Sequence, residues 1–315
     1  MSNVPPTNPV VHWGIHAATV CPMDMDGRID TQALAAHLAQ TCDTPGIKGL
    51  LLNGHAGEGH FLTQDERAQV ITIARANTAR STFITAGVTA ESTAAAIDEA
   101  RVSAQAGADA LLVFPPNHWA GGADKDIVLG HHAAIAAAVD LPLVVYKAPV
   151  TAGPMSYPDT VMTALLQEIS AITAIKEGSW EVAAYENTWR LTAALRPDVA
   201  VLGSGDEHLL TSYLIGSHGS QVSLAAIIPE TIVALCAAAQ AGDWVAARAC
   251  HEDLYALSVA IYRDTPGNLA TARLKACLKL MGHIPHDTVR RPMRQLTEPE
   301  LARLRAVLCG SNLLA

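Results

Sequence analysis

The feature of this sequence that most constrains its fold is an eightfold alternation of short apolar runs with Ala-rich amphipathic segments. The apolar runs have the length of buried strands, and the amphipathic segments have the length and periodicity of helices. Strand–helix units in series pair their strands in parallel through right-handed crossovers. Eight such units close an α/β fold, the (β/α)8 TIM barrel, whose active site lies at the carboxyl ends of the strands. The predicted strands lie near 13–18, 47–53, 82–87, 109–114, 142–147, 171–176, 199–203 and 219–224, and the predicted helices near 31–42, 64–78, 91–106, 124–139, 158–168, 179–195, 206–215 and 229–240.

An open doubly wound sheet is the alternative arrangement of the same units. It is less well supported, because no GxGxxG motif follows the first predicted strand, where residues 17–20 read Ala-Ala-Thr-Val. Local signals mark several helix starts, among them a capping-box pattern at Thr63 and Glu66 and a first-turn proline at Pro158.

The alternation stops after residue 241, which predicts a different C-terminal architecture. Helical patterns near 243–260, 267–282 and 298–308 indicate an all-helical extension of three helices. The predicted organisation is therefore an N-terminal tail (1–11), a (β/α)8 barrel (12–240) and a C-terminal helical domain (241–315).

Composition and charge exclude several classes of partner. The net charge is −9 and no Lys/Arg-rich run occurs, so we expect no nucleic-acid partner. No apolar stretch reaches the length of a membrane helix without a charge or a proline, so we expect no membrane partner. The start of the chain lacks the pattern of a signal peptide, and the six scattered cysteines form no CxxC pair. These features favour a cytoplasmic protein.

Lys176 follows the apolar run 171–175 and precedes a Glu-Gly pair, a pattern that fits a buried strand followed by a turn. Burial removes hydration from an ammonium group and lowers its pKa toward neutrality. A neutral amine can attack a carbonyl carbon and form a Schiff base. The structural alternative, which the segment alone favours, is a lysine that extends from the strand end into water.

Two other strand ends carry candidate chemistry. Gly54 and Gly57 bracket a loop whose backbone N–H groups could bind a carboxylate, or which could be an ordinary strand-to-helix turn. Tyr146 and Lys147 point to opposite faces of the fifth strand, because side chains alternate along a strand. If Tyr146 faces the interior, its phenol can move protons near Lys176. If Lys147 does, it is the rival Schiff-base lysine.

Strand parity also predicts which residues of the sixth strand share the barrel interior. Lys176, Ala174 and Ile172 are two residues apart, so one register directs all three inward.

Taken in order, these motifs resemble those of the dihydrodipicolinate synthase / N-acetylneuraminate lyase family. The loop from Gly54 to Glu58, with residues 62–67, is similar to the family's glycine-rich loop and following helix. Tyr146-x-x-Pro149 resembles its tyrosine motif, and residues 175–177 resemble its Schiff-base lysine segment. Further similar segments lie at 106–109, 115–116, 205–206 and 291–293, and the resemblance spans about residues 12–308.

The resemblance implies a (β/α)8 barrel with a C-terminal helical extension, assembled as a homotetramer or homodimer. It implies a class I lyase of aldolase or hydratase/dehydratase type, in which Lys176 forms an imine with pyruvate or another 2-oxo acid. Tyr146 would then move protons, and Lys147 would lie on the outer face. The second substrate would be aldehyde-like, and no cofactor beyond the covalent imine is expected. The substrate-binding set comprises Gly54, His55, Ala56, Gly57, His118, Trp119, Thr151 and Gln221.

The loop departs from the family pattern at its two middle positions. His55 and Ala56 stand where the family commonly carries two hydroxyl residues. His55 could donate to the carboxylate or act as a general base near neutral pH. Alternatively, its ring only fills space.

The second-substrate region departs as well. The chain reads Asn117-His118-Trp119 where dihydrodipicolinate synthases carry a relay tyrosine, and Thr151 stands where they use an arginine for the carboxylate of their aldehyde. Without that cation, lysine biosynthesis is not expected. His118, Trp119 and Thr151 are expected to shape the pocket for a more apolar or aromatic second substrate.

Two readings from other classes stay open. Thirteen histidines permit a metal-dependent TIM-barrel hydrolase, with His12 and His16 around the first strand and His131-His132 adjacent. These spacings fit chelation poorly, and we expect His131 and His132 to form a solvated helix face. A non-catalytic member that binds a small acid is the other alternative, although retention of Lys176 and Tyr146 argues against it.

Overall fold

The computed structural model describes residues 13–311, 313 and 314. Within them, eight parallel strands pair in chain order and close a barrel. This confirms the predicted TIM barrel and excludes the open sheet. The predicted tail at 1–11, and His12 of the metal hypothesis, lie outside the described residues. The strands are β1 (Gly14–Ala18), β2 (Ile47–Leu52), β3 (Phe83–Val88), β4 (Ala110–Val113), β5 (Leu143–Lys147), β6 (Ile172–Glu177), β7 (Ala200–Gly203) and β8 (Gly219–Val222).

Eleven α-helices occur in the described part of the chain, eight of them following the strands in turn. The barrel helices are α1 (Thr31–Asp43), α2 (Gln64–Asn77), α3 (Thr93–Ala106), α4 (Lys125–Ala138), α5 (Asp159–Glu168), α6 (Val182–Leu195), α7 (Leu209–Ile215) and α8 (Pro229–Gln240). The predicted C-terminal helices are present as α9 (Trp244–Tyr262), α10 (Ala270–Leu280) and α11 (Glu298–Gly310). Whether this extension is a domain of its own stays a prediction. None of the helices in the described residues is both long and apolar enough to cross a membrane.

Side chains of the helix ends explain why several helices begin where they do. Thr63 and Glu66 form the predicted capping box, each bonding the backbone N–H of the other. Gly107 ends α3 with a φ of 101°, a left-handed conformation that glycine adopts without strain. Pro158 was predicted in the first turn of α5, but it precedes the helix as its N-cap residue.

The apolar strand residues divide between two layers. Side chains on the outer face of the strands pack against the helices. Side chains on the inner face, such as Leu51, Leu112 and Leu202, fill the barrel. Ile172 was predicted to face inward, and this is wrong. The register between β5 and β6 shifts after Leu143, so Ile172 packs in the outer layer whereas Ala174 faces inward.

Lys147 lies on the outer face of β5, buried between the barrel and α6. Its Nζ donates to Thr188 Oγ1 at 2.6 Å and lies 4.0 Å from Glu177 Oε1. The alternation along β5 therefore directs Tyr146 toward the interior, which removes Lys147 as the rival lysine in the barrel mouth.

Candidate active site

A cavity of about 660 Å³ opens at the carboxyl end of the barrel. Its wall comes from the strand ends of β1, β2, β5, β6, β7 and β8, and from C-terminal residues in and around α9 and α10. This is the end of the barrel where catalytic groups are expected. Of the predicted site residues, the cavity brings together Lys176, Tyr146, Gly54, His55, Ala56, Gly57, Thr151 and Gln221.

Lys176 projects from β6 into this cavity and is 8% exposed. Burial lowers its pKa to about 8, and the nearby Asp206 carboxylate partly opposes that shift. At pH 7, a lysine with this pKa is a free amine in roughly one molecule in ten, a far larger fraction than for an ordinary lysine. Its Nζ lies 5.6 Å from the centre of the Tyr146 ring. Lys176 thus has the environment of a nucleophilic amine.

Tyr146 lies on the neighbouring strand, directly paired with Lys176 in the β5–β6 register. Burial is the largest cause that raises the pKa of its phenol, followed by the charge of Glu177. The group is therefore protonated at neutral pH and can donate a proton or a hydrogen bond. The rings of Phe114 and His55 hold its orientation, with centroids 4.8 and 5.6 Å from its own.

The loop after β2 offers unpaired backbone donors to the cavity. Within the described residues, the N–H groups of Ala56 and Gly57 donate to no acceptor. A Cβ at Gly57 would lie 3.2 Å from Asn53 N and Thr19 O, so the glycine permits the loop to pack closely on β1 and β2. Successive backbone N–H groups without acceptors can bind an anion, and a carboxylate is a candidate.

His55 stacks on His60 with ring centroids 5.2 Å apart and also contacts Phe114 at 4.6 Å. The residue is exposed at the cavity, while neighbouring rings enclose one side of its imidazole. This enclosure, with the charges of His60 and Lys176, lowers the pKa of His55. Solvent in the cavity reduces this effect in part. Because the pKa is lowered, the imidazole is neutral at pH 7. Such a ring can donate one hydrogen bond and accept another.

Gln221 projects inward from β8, contributes to the cavity wall and is fully buried. Neither its Nε2 nor its Oε1 has a hydrogen-bond partner in the part of the chain that the structure describes. A buried amide without partners is costly, so this position suits a ligand that bonds it.

His118 and Trp119 are not among the residues that line this cavity, and their role in substrate binding stays a prediction. The His118 side chain is largely exposed, and its Nδ1 lies 3.3 Å from Glu91 Oε2. Trp119 is 4% exposed and packs against His131 and Tyr157. Trp119 thus contacts α4, whereas His118 lies beside Glu91, which precedes α3.

The predicted solvated face at His131 and His132 is also wrong. Both rings are buried on the inner side of α4, where His131 bonds Thr93 Oγ1 at 3.0 Å and His132 bonds Val128 O at 2.9 Å. Among the residues described, no three His, Cys, Asp or Glu side chains form a group that could hold a metal ion.

Sequence reasoning missed three wall residues. Asp206 follows β7, is 2% exposed, and accepts a hydrogen bond from Leu224 N at 2.7 Å. Burial raises its pKa to about 6. Trp180 and Tyr262 form an aromatic wall above it. Two signals in the sequence could have found them: Asp206 lies in the family-like segment 205–206, and Trp180 lies four residues after Lys176.

Comparisons with known proteins agree with this arrangement. Residues 12–310 match the sequence model described as the dihydrodipicolinate synthetase family. A 4-hydroxy-tetrahydrodipicolinate synthase of Haloarcula marismortui is 31% identical over 295 residues, which cover 94% of this chain and 92% of the relative. An uncharacterised DapA-like lyase of Halobacterium salinarum is 30% identical over 308 residues, 98% of this chain and 96% of the relative.

Solved structures show the same fold. YagE, an Escherichia coli K12 prophage protein of the dihydrodipicolinic acid synthase family solved with pyruvate, has a TM-score of 0.88 at 25% identity and covers 96% of this chain and 99% of its own. The dihydrodipicolinate synthase of Thermotoga maritima has a TM-score of 0.87 at 24% identity, over 96% and 99%. The chain belongs to the dihydrodipicolinate synthetase family and is an aldolase-type lyase.

Proposed function

We propose that the chain is a class I lyase in which Lys176 forms a Schiff base with pyruvate or another 2-oxo acid. The observation that carries this proposal is the placement of a buried amine, with its pKa lowered to about 8, beside the Tyr146 phenol and across the cavity from unpaired loop amides. An amine, a proton donor and an anion site are the three parts that this chemistry needs.

The first part of the reaction is binding of the 2-oxo acid. Its carboxylate would accept hydrogen bonds from the Ala56 and Gly57 N–H groups, with the neutral His55 ring as a further donor. This orients the keto carbon toward Lys176 Nζ. The amine attacks that carbon, and the carbonyl oxygen leaves as water after accepting protons.

The second part is the carbon–carbon step. Loss of a proton from the carbon next to the iminium gives an enamine, which adds to the carbonyl carbon of an aldehyde. The aldehyde oxygen accepts a proton, which the Tyr146 phenol is placed to supply. Water then hydrolyses the iminium and releases the product. The same steps in reverse cleave a 4-hydroxy-2-oxo acid, and loss of water in place of cleavage gives dehydration.

We infer that the aldehyde differs from that of dihydrodipicolinate synthases. Thr151 lines the cavity, and no arginine does so among the described residues. A second carboxylate would lack the bidentate partner that arginine provides.

Borohydride trapping with pyruvate tests the proposal. A reduced adduct on Lys176, identified by peptide mass spectrometry, is expected in the wild type and absent in Lys176→Met. Lys147→Met is the matched control, because Lys147 is also a buried strand-end lysine but bonds Thr188 on the other face. Its adduct is expected to persist. A wild type that gives no adduct with any of several 2-oxo acids supports the non-catalytic alternative instead.

We further propose a homotetramer or homodimer in the cytoplasm, without a cofactor beyond the covalent imine. All six cysteines are free thiols, which fits a reducing compartment. Light scattering would measure the oligomeric state.

A further inference from the structure

Trp180 has a backbone conformation that bulky residues rarely adopt. Its φ is 61°, in the left-handed region that favours glycine. Such conformations persist where the surrounding structure imposes them, and they concentrate at functional sites. Here the conformation directs the indole into the cavity wall four residues after Lys176.

Neighbouring groups fix the position of this indole. Its ring packs against Tyr262 with centroids 5.1 Å apart and an interplanar angle of 59°, and against the edge of His208 at 6.0 Å. A Cβ at Gly205 would lie 3.7 Å from the indole, so the backbone after β7 supports it from below. Trp180 is thus held as one side of a rigid aromatic surface.

Tyr262 supplies the other side and a polar edge. It is the last residue of α9, and it lines the same cavity. Its hydroxyl is buried beside the Ser223 hydroxyl and the Asp206 carboxyl. The surface formed by Trp180 and Tyr262 is therefore apolar on its face, with one hydroxyl at its edge, next to Asp206.

The charges of the cavity limit what can bind there. Apart from histidines, Lys176 is the one cationic side chain among the described residues that line it. Glu58 is paired with Lys275, and Asp206 adds a carboxyl to the wall. Once Lys176 is bound to a 2-oxo acid, no cation remains for a second acidic group, which would face Asp206 instead.

Apolar groups extend the aromatic surface toward solvent. Pro149, Phe61, Pro292 and Met293 line the cavity together with Trp180 and Tyr262. Planar rings stack on such surfaces in offset or edge-to-face geometry.

We propose that Trp180 and Tyr262 form a subsite for a planar apolar group, and that the second substrate is a neutral aryl aldehyde. This proposal rests on the proposed function, because the aldehyde is the partner of the Lys176 enamine. The new carbon–carbon bond joins the enamine carbon to the aldehyde carbon, and the aryl ring lies against the indole.

Matched aldehydes test the charge and shape of the subsite. With pyruvate, benzaldehyde is expected to give the 4-hydroxy-2-oxo acid with a kcat/KM at least about tenfold above that of 4-carboxybenzaldehyde, equivalent to about 1.4 kcal/mol. Glyceraldehyde, which is neutral but hydroxylated, is the second comparison. Preferred use of 4-carboxybenzaldehyde or glyceraldehyde overturns the proposal.

Trp180→Gly tests the residue itself, since glycine accepts the left-handed backbone. The variant is expected to raise KM for benzaldehyde about tenfold while pyruvate is still trapped on Lys176. Trp244→Phe, at the partly exposed start of α9, is the matched control and leaves KM unchanged. Unchanged KM in Trp180→Gly overturns the subsite. If pyruvate is not trapped on Lys176 of the wild type, that result contradicts the proposed function instead. Failure of the subsite and failure of the proposed function are therefore distinguishable.

Discussion

A buried ion pair joins the candidate carboxylate loop to the C-terminal helices and permits a quantitative prediction. Glu58 ends the loop and Lys275 lies on α10, and neither side chain has any exposed surface. Glu58 Oε2 also accepts from Arg290 N at 2.8 Å, and Lys275 Nζ donates to Thr288 O at 2.7 Å. Lys275→Met keeps the volume of the side chain but removes its charge.

The expected loss of stability follows from this burial. Removing one partner of a buried ion pair leaves an uncompensated charge and typically costs about 3–5 kcal/mol. The lost bond to Thr288 is worth about 1 kcal/mol by itself, so most of the loss comes from the unpaired Glu58 carboxylate. Combining Lys275→Met with Glu58→Gln removes that charge and is expected to recover about half of the loss.

Urea unfolding, followed by far-UV circular dichroism, measures these free energies. Lys279→Met is the control on the same helix: Lys279 pairs with Asp287 at 2.7 Å, but its side chain is 47% exposed. Its loss is expected to be smaller than that of Lys275→Met, because the Lys279 ammonium is half exposed and water can replace it beside Asp287, whose side chain is 10% exposed. A loss for Lys275→Met no larger than that for Lys279→Met, or a double variant less stable than Lys275→Met, would show that the buried pair does not contribute in this way.

Three further predictions concern protonation and capping. The rate of pyruvate trapping is expected to rise with pH through the Lys176 pKa of about 8, and Asp206→Asn is expected to move that midpoint lower, because the Asp206 charge raises the pKa; an unmoved midpoint contradicts this coupling. Arg290 lowers the pKa of Glu66 to about 2 from an ordinary 4.5, so the stability it contributes is complete above pH 4.5 and disappears toward pH 2. Urea titrations of Glu66→Gln should therefore show a flatter acid limb than the wild type, and an equal slope would be inconsistent with that role. Ser92→Ala removes the side-chain cap of α3 and is expected to lower the free energy of unfolding by about 1 kcal/mol in the same urea assay. An unchanged free energy would show that the cap does not stabilise the helix.

Local pattern was sufficient for the elements, and it restricted the candidates for the central pair, which the family resemblance then selected. The apolar runs and amphipathic segments predicted every strand and helix, because burial on one face imposes a period on the sequence. Alternation along β5 made Tyr146 and Lys147 mutually exclusive candidates for the interior. Once the strand count indicated a barrel, Lys176 had to lie at its carboxyl end.

Predictions failed where a contact depends on segments far apart in the chain. The shifted register after Leu143 reversed Ile172, because a bulge depends on the pairing with a neighbouring strand rather than on the run itself. His118 and Trp119 follow a strand end, as Thr151 does, but only Thr151 is among the residues that line the cavity, so the binding role of the other two stays a prediction.

Periodicity in the sequence was enough to predict the barrel, and parity placed Tyr146 and Lys147 on opposite faces. The roles of the lysine, the tyrosine and the glycine-rich loop were predicted from the resemblance of the ordered motifs to a known family. The wall opposite them depends on tertiary packing. Trp180, Asp206 and Tyr262 come from three different segments and meet because β6, β7 and α9 converge at one end of the barrel. The spacing of these residues in the sequence follows no period that would predict their contact. The apolar side of the cavity, which is poor in cations, forms only when the three segments pack together.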